Sequence, residues 1–219
     1  MNRKSIAQEY VILATNEKGT MPAMRRNESN AGIVVAGVMD LLLNDVITIE
    51  KKKITVMKDL PDGFRQIASL YTYLKEKPRS TNQLMSAYMA STGSRLKQLT
   101  TELGDSLLED GAATRTEGGL FGNKTIYIPE KSYKDELIGA IKSAVTKDDE
   151  LSPHDMALIY ILKETNNLNQ YFSKYESDVL KAKLREMKKD PQNKQLANMI
   201  NYVSDMTAVM MACLVTSLN

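Results

Sequence analysis

Asn30-Ala31-Gly32-Ile33-Val34-Val35-Ala36-Gly37-Val38-Met39-Asp40-Leu41-Leu42-Leu43 is the stretch on which the fold turns. Ile33, Val34, Val35, Val38, Met39, Leu41, Leu42 and Leu43 leave almost no polar face, and a helix that is apolar all round must be surrounded by other elements. Asn30 predicts its N-cap. The flanking sequence has to supply the shell around this central helix.

Before it, Ser5 followed by Gln8 predicts a capping box, with Ile6, Tyr10, Leu13 and Ala14 on one helical face until Asn16 to Gly19 end the helix. After it, Val46 to Ile49 and Ile54 to Met57 are β-prone runs separated by Glu50 and Lys51 to Lys53, which predicts a hairpin with a charged turn. Pro61 and Gly63 open a third helix carrying Phe64, Ile67, Ala68, Tyr71 and Leu74, and Pro78 closes it. Thr81 predicts the cap of a short helix with Leu84, Ala87 and Tyr88. Ser94 starts another, with Leu96, Leu99, Leu103 and Leu107 on one stripe and Gly111 as the break.

Residues 112–128 read as a second hairpin with Gly118-Gly119-Leu120-Phe121-Gly122 at its tip, ended by Pro129. Helical patterns follow over Tyr133 to Val145, from Ser152-Pro153 to Leu162, over Leu168 to Tyr175 and Val179 to Met187 ended by Pro191, and over Gln195 to Leu218. With no linker, repeat or low-complexity tract, residues 1–219 form one domain: a mainly α, single-domain helical bundle with two short β-hairpins.

Composition narrows the function. A net charge of +2 is too small for a dedicated nucleic-acid binder. The one cysteine, Cys213, forms no internal disulfide and reads as a core residue of a cytoplasmic protein. The N-terminus lacks the apolar core of a signal peptide, and Met206 to Leu218 is shorter than the roughly 20 residues a spanning helix needs. Catalysis has little to work with: His154 stands beside Asp155 in the first turn of a helix, where exposure or capping is its expected role. Asp148-Asp149-Glu150 reads as a solvated loop, and no metal-ligand spacing or phosphate-cradling glycine loop occurs. No enzyme activity, metal or cofactor is expected.

The tip of the second hairpin is different. Leu120 and Phe121 on a tight turn, with Arg115 and Lys124 on the legs, resemble a membrane finger that inserts apolar side chains beside positive charge. The same tip could instead fold back on the domain or meet another protomer, which would make the chain a lipid-independent oligomeric scaffold. Another alternative is DNA binding, because two helices followed by a hairpin imitate a winged helix-turn-helix. Against it, Arg95 and Lys97 on the second helix are offset by Glu102, Asp105, Glu109 and Asp110.

The order of segments then resembles the Golgi phosphoprotein 3 family. The residues that carry this are Glu9-Tyr10-Val11-Ile12-Leu13-Ala14 with Glu17-Lys18-Gly19, Leu42 to Glu50, Leu107 to Gly111, Leu120-Phe121-Gly122 through Ile128-Pro129, Ala157 to Leu162 and Val209 to Leu214. The resemblance implies a mainly helical peripheral membrane protein that binds phosphatidylinositol 4-phosphate through a basic, aromatic-flanked pocket. In eukaryotic members it also implies Golgi residence, capture of glycosyltransferase tails and engagement of vesicle coat. The matched hairpin is implied to face the membrane and to support self-association as a homo-oligomer.

The family pocket uses a tryptophan and several arginines, and this chain has no tryptophan. By position the tryptophan falls near Arg25, one pocket arginine becomes Val34, and two on the helix before the second hairpin become Lys97 and Thr100. Arg25, Arg26 and Lys97 are therefore the candidate head-group contacts, able to neutralise phosphate without the family's geometry. The family-like helix begins almost at once, as in a short bacterial-type member without the coat-recruiting tail. The expected partner is an anionic phospholipid surface on the cytoplasmic face of a membrane, with protein clients unassigned.

Overall fold

The computed structural model describes residues 3–89, 93–118, 124–146, 151–189 and 194–216. Ser5 caps α1 (Ile6–Ala14) through the expected reciprocal box, its hydroxyl accepting from the Gln8 N–H while the Gln8 side chain accepts from the Ser5 N–H. The single apolar face does not hold, since all nine residues of α1 are buried. A 3-10 turn, Ala23–Arg25, leads directly into α2 (Arg26–Leu43). The turn supplies the preceding backbone conformation, so α2 starts four residues before the expected cap and Asn30 lies within the helix. From Ala31 to Leu41 every residue of α2 is buried, as its composition requires.

A polar knot ties α2 to α1. Tyr10 is fully buried and its hydroxyl donates to Thr165 Oγ1 at 3.0 Å, while the Asn167 side-chain amide donates to Tyr10, Ser29 and Thr165. Each buried polar atom here has a partner, without which it would be costly. Gly32 makes the approach possible, because a Cβ there would lie 2.1 Å from the Tyr10 hydroxyl oxygen. Gly32→Ala is expected to cost about 2 to 3 kcal/mol through this overpacking. Thermal unfolding followed by circular dichroism would show a midpoint lowered by roughly 5 to 10 °C.

The first hairpin forms as expected from β1 (Ile47–Glu50) and β2 (Lys53–Val56), with Ile49 opposite Ile54. Lys51 and Lys52 make its turn with φ of 49° and 65°. A third strand, β3 (Arg79–Ser80), pairs antiparallel with β2, and its two residues are too short to show alternation in the sequence. The expected third helix is in two pieces, a 3-10 segment Asp62–Ile67 with non-helical φ/ψ at Phe64, then α3 (Ala68–Lys75). In α4 (Thr81–Met89) the cap is Ser80 rather than Thr81: the Ser80 hydroxyl accepts from the Gln83 N–H and the Gln83 side chain accepts from the Ser80 N–H. Thr81 is the first helical residue, with its hydroxyl buried and without a hydrogen-bond partner among the described residues.

Leu99, Leu103 and Leu107 line the buried stripe of α5 (Ser94–Glu109). Gly111, at φ 67°, ends it, with Ala112 N–H donating to Leu107 and Gly111 N–H to Leu108, a Schellman-type exit. The second hairpin, β4 (Ala113–Gly118) and β5 (Lys124–Pro129), leads to α6 (Lys131–Thr146). Ser152 caps α7 (Pro153–Glu164) by accepting from the Asp155 N–H. The helix expected at Leu168 is one 3-10 turn, Leu168–Gln170, followed by α8 (Lys174–Lys189) and the closing α9 (Lys194–Thr216). α2 lies at the centre, packed by α1, α4, α7 and α9. Among the described residues no helix is long and apolar enough to cross a membrane.

Candidate functional site

The second hairpin is gripped from both faces. Its six residue pairs run from Ala113 opposite Pro129 to Gly118 opposite Lys124. Alternation along β5 sends Tyr127 one way and Ile126 and Ile128 the other. Tyr127 lies on α5 at Gly104, where a Cβ would come within 2.3 Å of the ring, and its hydroxyl donates to Asp105 at 2.6 Å. Burial, then the Asp105 carboxylate, pushes this phenol up to about 12.

On the other face Ile126 and Ile128 meet Gly19, whose φ of 67° and lack of a side chain let the turn after α1 press on the strand. A Cβ on Gly19 would lie 2.4 Å from Ile126 Cγ2 and 2.6 Å from the Tyr127 carbonyl oxygen. Asn16 closes that turn by accepting from the Lys18 and Thr20 N–H groups. The hairpin base is thus wedged between α5 and the turn. Arg115, opposite Tyr127, and Lys124, opposite Gly118, are both exposed. Leu120 and Phe121 lie outside the described residues.

The cationic candidates sit on separate elements. Arg25 closes the 3-10 turn and is half-buried, with a buried Nε that has no hydrogen-bond partner among the described residues. Its charge bears on the phenol of Tyr171, which burial otherwise drives up and whose hydroxyl donates to the Leu13 carbonyl. Lys134 of α6 lies 5.3 Å over the Tyr171 ring and donates to the Thr15 carbonyl, and burial lowers its pKa. Lys134 thus sits over Tyr171 at the C-terminal end of α1, where a cation meets the last carbonyls of the helix. Nothing in the sequence marked Lys134, which lies 119 positions from Thr15.

Arg26, the first residue of α2, and Lys97, in the first turn of α5, are exposed. Among the described residues neither side chain makes a hydrogen bond or ion pair. The two other pocket positions are committed elsewhere: Val34 is fully buried, and Thr100 donates to the Leu96 carbonyl at 2.7 Å.

A second aromatic group with cations was not foreseen. Arg79 lies 3.7 Å and Arg95 4.9 Å from the Tyr73 ring centroid, with Tyr88 edge-on to Tyr73 at 5.7 Å. Arg79 also donates to the Tyr73 carbonyl and pairs with Glu76. Arg95 is thereby engaged with the domain, which leaves Lys97 as the remaining cation of the would-be DNA-reading turn.

His154 is neither a cap nor a free surface residue. Its Nε2 lies 2.9 Å from Glu9, a carboxylate with no exposed surface that also takes two hydrogen bonds from Arg3, itself paired with Asp155. Burial works to raise the Glu9 pKa, but the bonds from His154 and Arg3 outweigh it and hold the carboxyl below its usual range. This network staples the start of the chain and α7 to α1. Among the described residues no group of three or more His, Cys, Asp or Glu could hold a metal ion. Residues 148–150 and the side chain of Cys213 fall outside the described residues.

The family model described as Golgi phosphoprotein 3 (GPP34) matches residues 6–203. The chain belongs to the Golgi phosphoprotein 3 family. No curated protein matches it. The span shared with the Golgi phosphoprotein 3 family takes in both hairpins, the turn after α1 and every candidate residue named above. It also takes in α5, where the candidate head-group cation is Lys97.

Proposed function

We propose that this Golgi phosphoprotein 3 family chain is a peripheral membrane adaptor that binds anionic phospholipid head groups, phosphatidylinositol 4-phosphate being the family's ligand. The single observation that carries the reading is the family match over residues 6–203. The mounting of the second hairpin supports it: a strand pair fixed by Gly104 and Gly19 carries Arg115 exposed low on one leg and Lys124 exposed at the last pair before the tip. Arg25, Arg26 and Lys97 are the proposed phosphate contacts, with Leu120 and Phe121 as the inserting residues. The attachment is weak and reversible per molecule, as expected where each basic residue adds about 1 kcal/mol at an anionic surface. Self-association through the hairpin would strengthen it by avidity.

Co-sedimentation with liposomes tests the reading. Purified protein is expected to pellet with vesicles containing phosphatidylinositol 4-phosphate or another anionic lipid, and to stay in solution with phosphatidylcholine alone. Absence of binding to every anionic composition at low salt would sink it.

A further inference from the structure

We infer that the outward face of α8 is a homotypic contact, on which a second copy of this chain lays its own α8 antiparallel about a two-fold axis. The inference stands apart from the lipid reading and from the hairpin. α8 packs on α6, α9 and the turn Leu168–Gln170, whereas the hairpin is held by α5 and the turn after α1.

The domain uses one face of α8 and leaves an apolar row on the other. Ser177, Leu180 and Leu184 are buried together on the inner face. On the outer face Tyr175 is 79% and Val179 38% exposed, and Ala182 and Glu186 are exposed with them. Steps of four, three and four residues set Tyr175, Val179, Ala182 and Glu186 in a single row, the spacing at which one helix seats against another. Two large apolar side chains one turn apart on a regular helix are held in place for a partner, so docking orders little that is not already ordered.

Charge selects the occupant and its direction. Asp178 and Arg185 are both exposed, one residue before Val179 and one before Glu186, so they share one flank of the row. In an antiparallel pair with its axis level with Leu180 and Lys181, Val179 of each copy meets Ala182 of the other and Tyr175 meets Glu186. Asp178 of each copy then meets Arg185 of the other, and symmetry makes every contact twice. Large side chains face small ones, the Tyr175 hydroxyl finds a carboxylate acceptor, and the two helix dipoles oppose. A parallel pair would instead set Glu186 against its own copy. Asp178 already has Lys181 at 3.3 Å on its own helix, but an exposed pair of that kind holds too little free energy to block an exchange. An anionic lipid surface fits the row poorly, because Asp178 and Glu186 would face phosphate. One helix pair covers less than the roughly 800 Å² per partner of a standing complex, so the dimer is weak and forms at high local concentration.

Sedimentation velocity on the full chain without lipid, over a range of concentrations, tests the contact. The parent is expected to form a dimer as concentration rises, and Tyr175→Asp or Val179→Asp to weaken that association by about 10-fold or more with an unchanged circular-dichroism spectrum. Charge reversal reads the direction. Asp178→Arg and Arg185→Asp are each expected to lose the dimer, since like charges then meet twice, and an equimolar mixture of the two is expected to regain it because both cross-pairs become opposite in sign. A parent that remains monomeric up to about 1 mM overturns the inference. So does undiminished association of Val179→Asp, which would place self-association elsewhere, and a mixture that stays monomeric refutes the antiparallel pairing. Vesicle binding plays no part in the readout, so this contact and the membrane reading fail independently.

Discussion

Replacing Asp40 with alanine is expected to lower the unfolding free energy by about 2 to 4 kcal/mol at neutral pH, the scale of a lost helix cap combined with buried donors left unpaired. Asp40 is 2% exposed on the central helix α2, and its two carboxylate oxygens accept from the first two N–H groups of α1, Ile6 at 2.8 Å and Ala7 at 2.9 Å. The side chain is thus the second half of a cap whose first half is Ser5. Both bonds are buried. Truncation to a methyl group would strand both donors, whereas Asp40→Asn keeps one acceptor and should lose about half as much. Urea unfolding followed by circular dichroism measures both, and equal stability of D40A and the parent would show that these two bonds contribute nothing.

The same residue gives that experiment a pH signature. Burial raises the Asp40 carboxyl from an ordinary 3.8 to about 6, against the opposing pull of the Ala7 and Ile6 N–H groups. Between those two values the folded protein holds a proton that the unfolded chain has released. Asp40 therefore withdraws stability as the pH rises through this window. The gap between D40A and the parent should narrow from about pH 4 to about pH 6. Glu9 works in the opposite sense: its depressed pKa adds stability that is lost as the pH falls through its folded value. Substituting Arg3 with alanine should shrink that acid-side loss, since Arg3 is one of the two groups holding Glu9 ionised. A widening gap for D40A over the same range would mean that the caps, not burial, control Asp40.

Patterns local in the chain were legible without coordinates. The capping box at Ser5, the all-apolar α2, both hairpins and the Ser152-Pro153 start of α7 depend on neighbours within a turn or a strand pair, and short-range physics decides them. What escaped was set by distant partners. All nine residues of α1 are buried because α2, α5, α6 and α7 surround it, and its sequence carries only its own half of that packing. His154 meets Glu9 across 145 positions, and Lys134 meets Thr15 across 119. The start of α2 at Arg26 follows from the preceding 3-10 turn, a conformation with no strong composition cue. At the candidate site, the cations were visible as residues, but the engagement of Arg95 by Tyr73 is a property of the folded surface alone.

Phe121→Asp combined with Leu120→Asp is expected to reduce anionic-vesicle partitioning by roughly 100-fold or more, because burying two large apolar side chains supplies about 3 to 6 kcal/mol. Carboxylates at the same positions add repulsion from lipid phosphate to that loss. The base of the hairpin should not respond. It is fixed by Tyr127 on Gly104 with its bond to Asp105, and by Gly19 against Ile126 and the Tyr127 carbonyl, none of which belongs to residues 119–123. The helical circular-dichroism signal and the urea midpoint of the double variant should therefore match the parent. Gly104→Ala is the contrasting case: its new Cβ would meet the Tyr127 ring at 2.3 Å, so it should move the hairpin base and lower stability while leaving the tip chemistry intact. Vesicle binding lost in the double variant and merely reduced in Gly104→Ala would place the lipid contact at the tip. Undiminished binding in the double variant removes the finger from the membrane surface, and a fall in mass by light scattering in that same variant would make the tip a contact between copies of the chain.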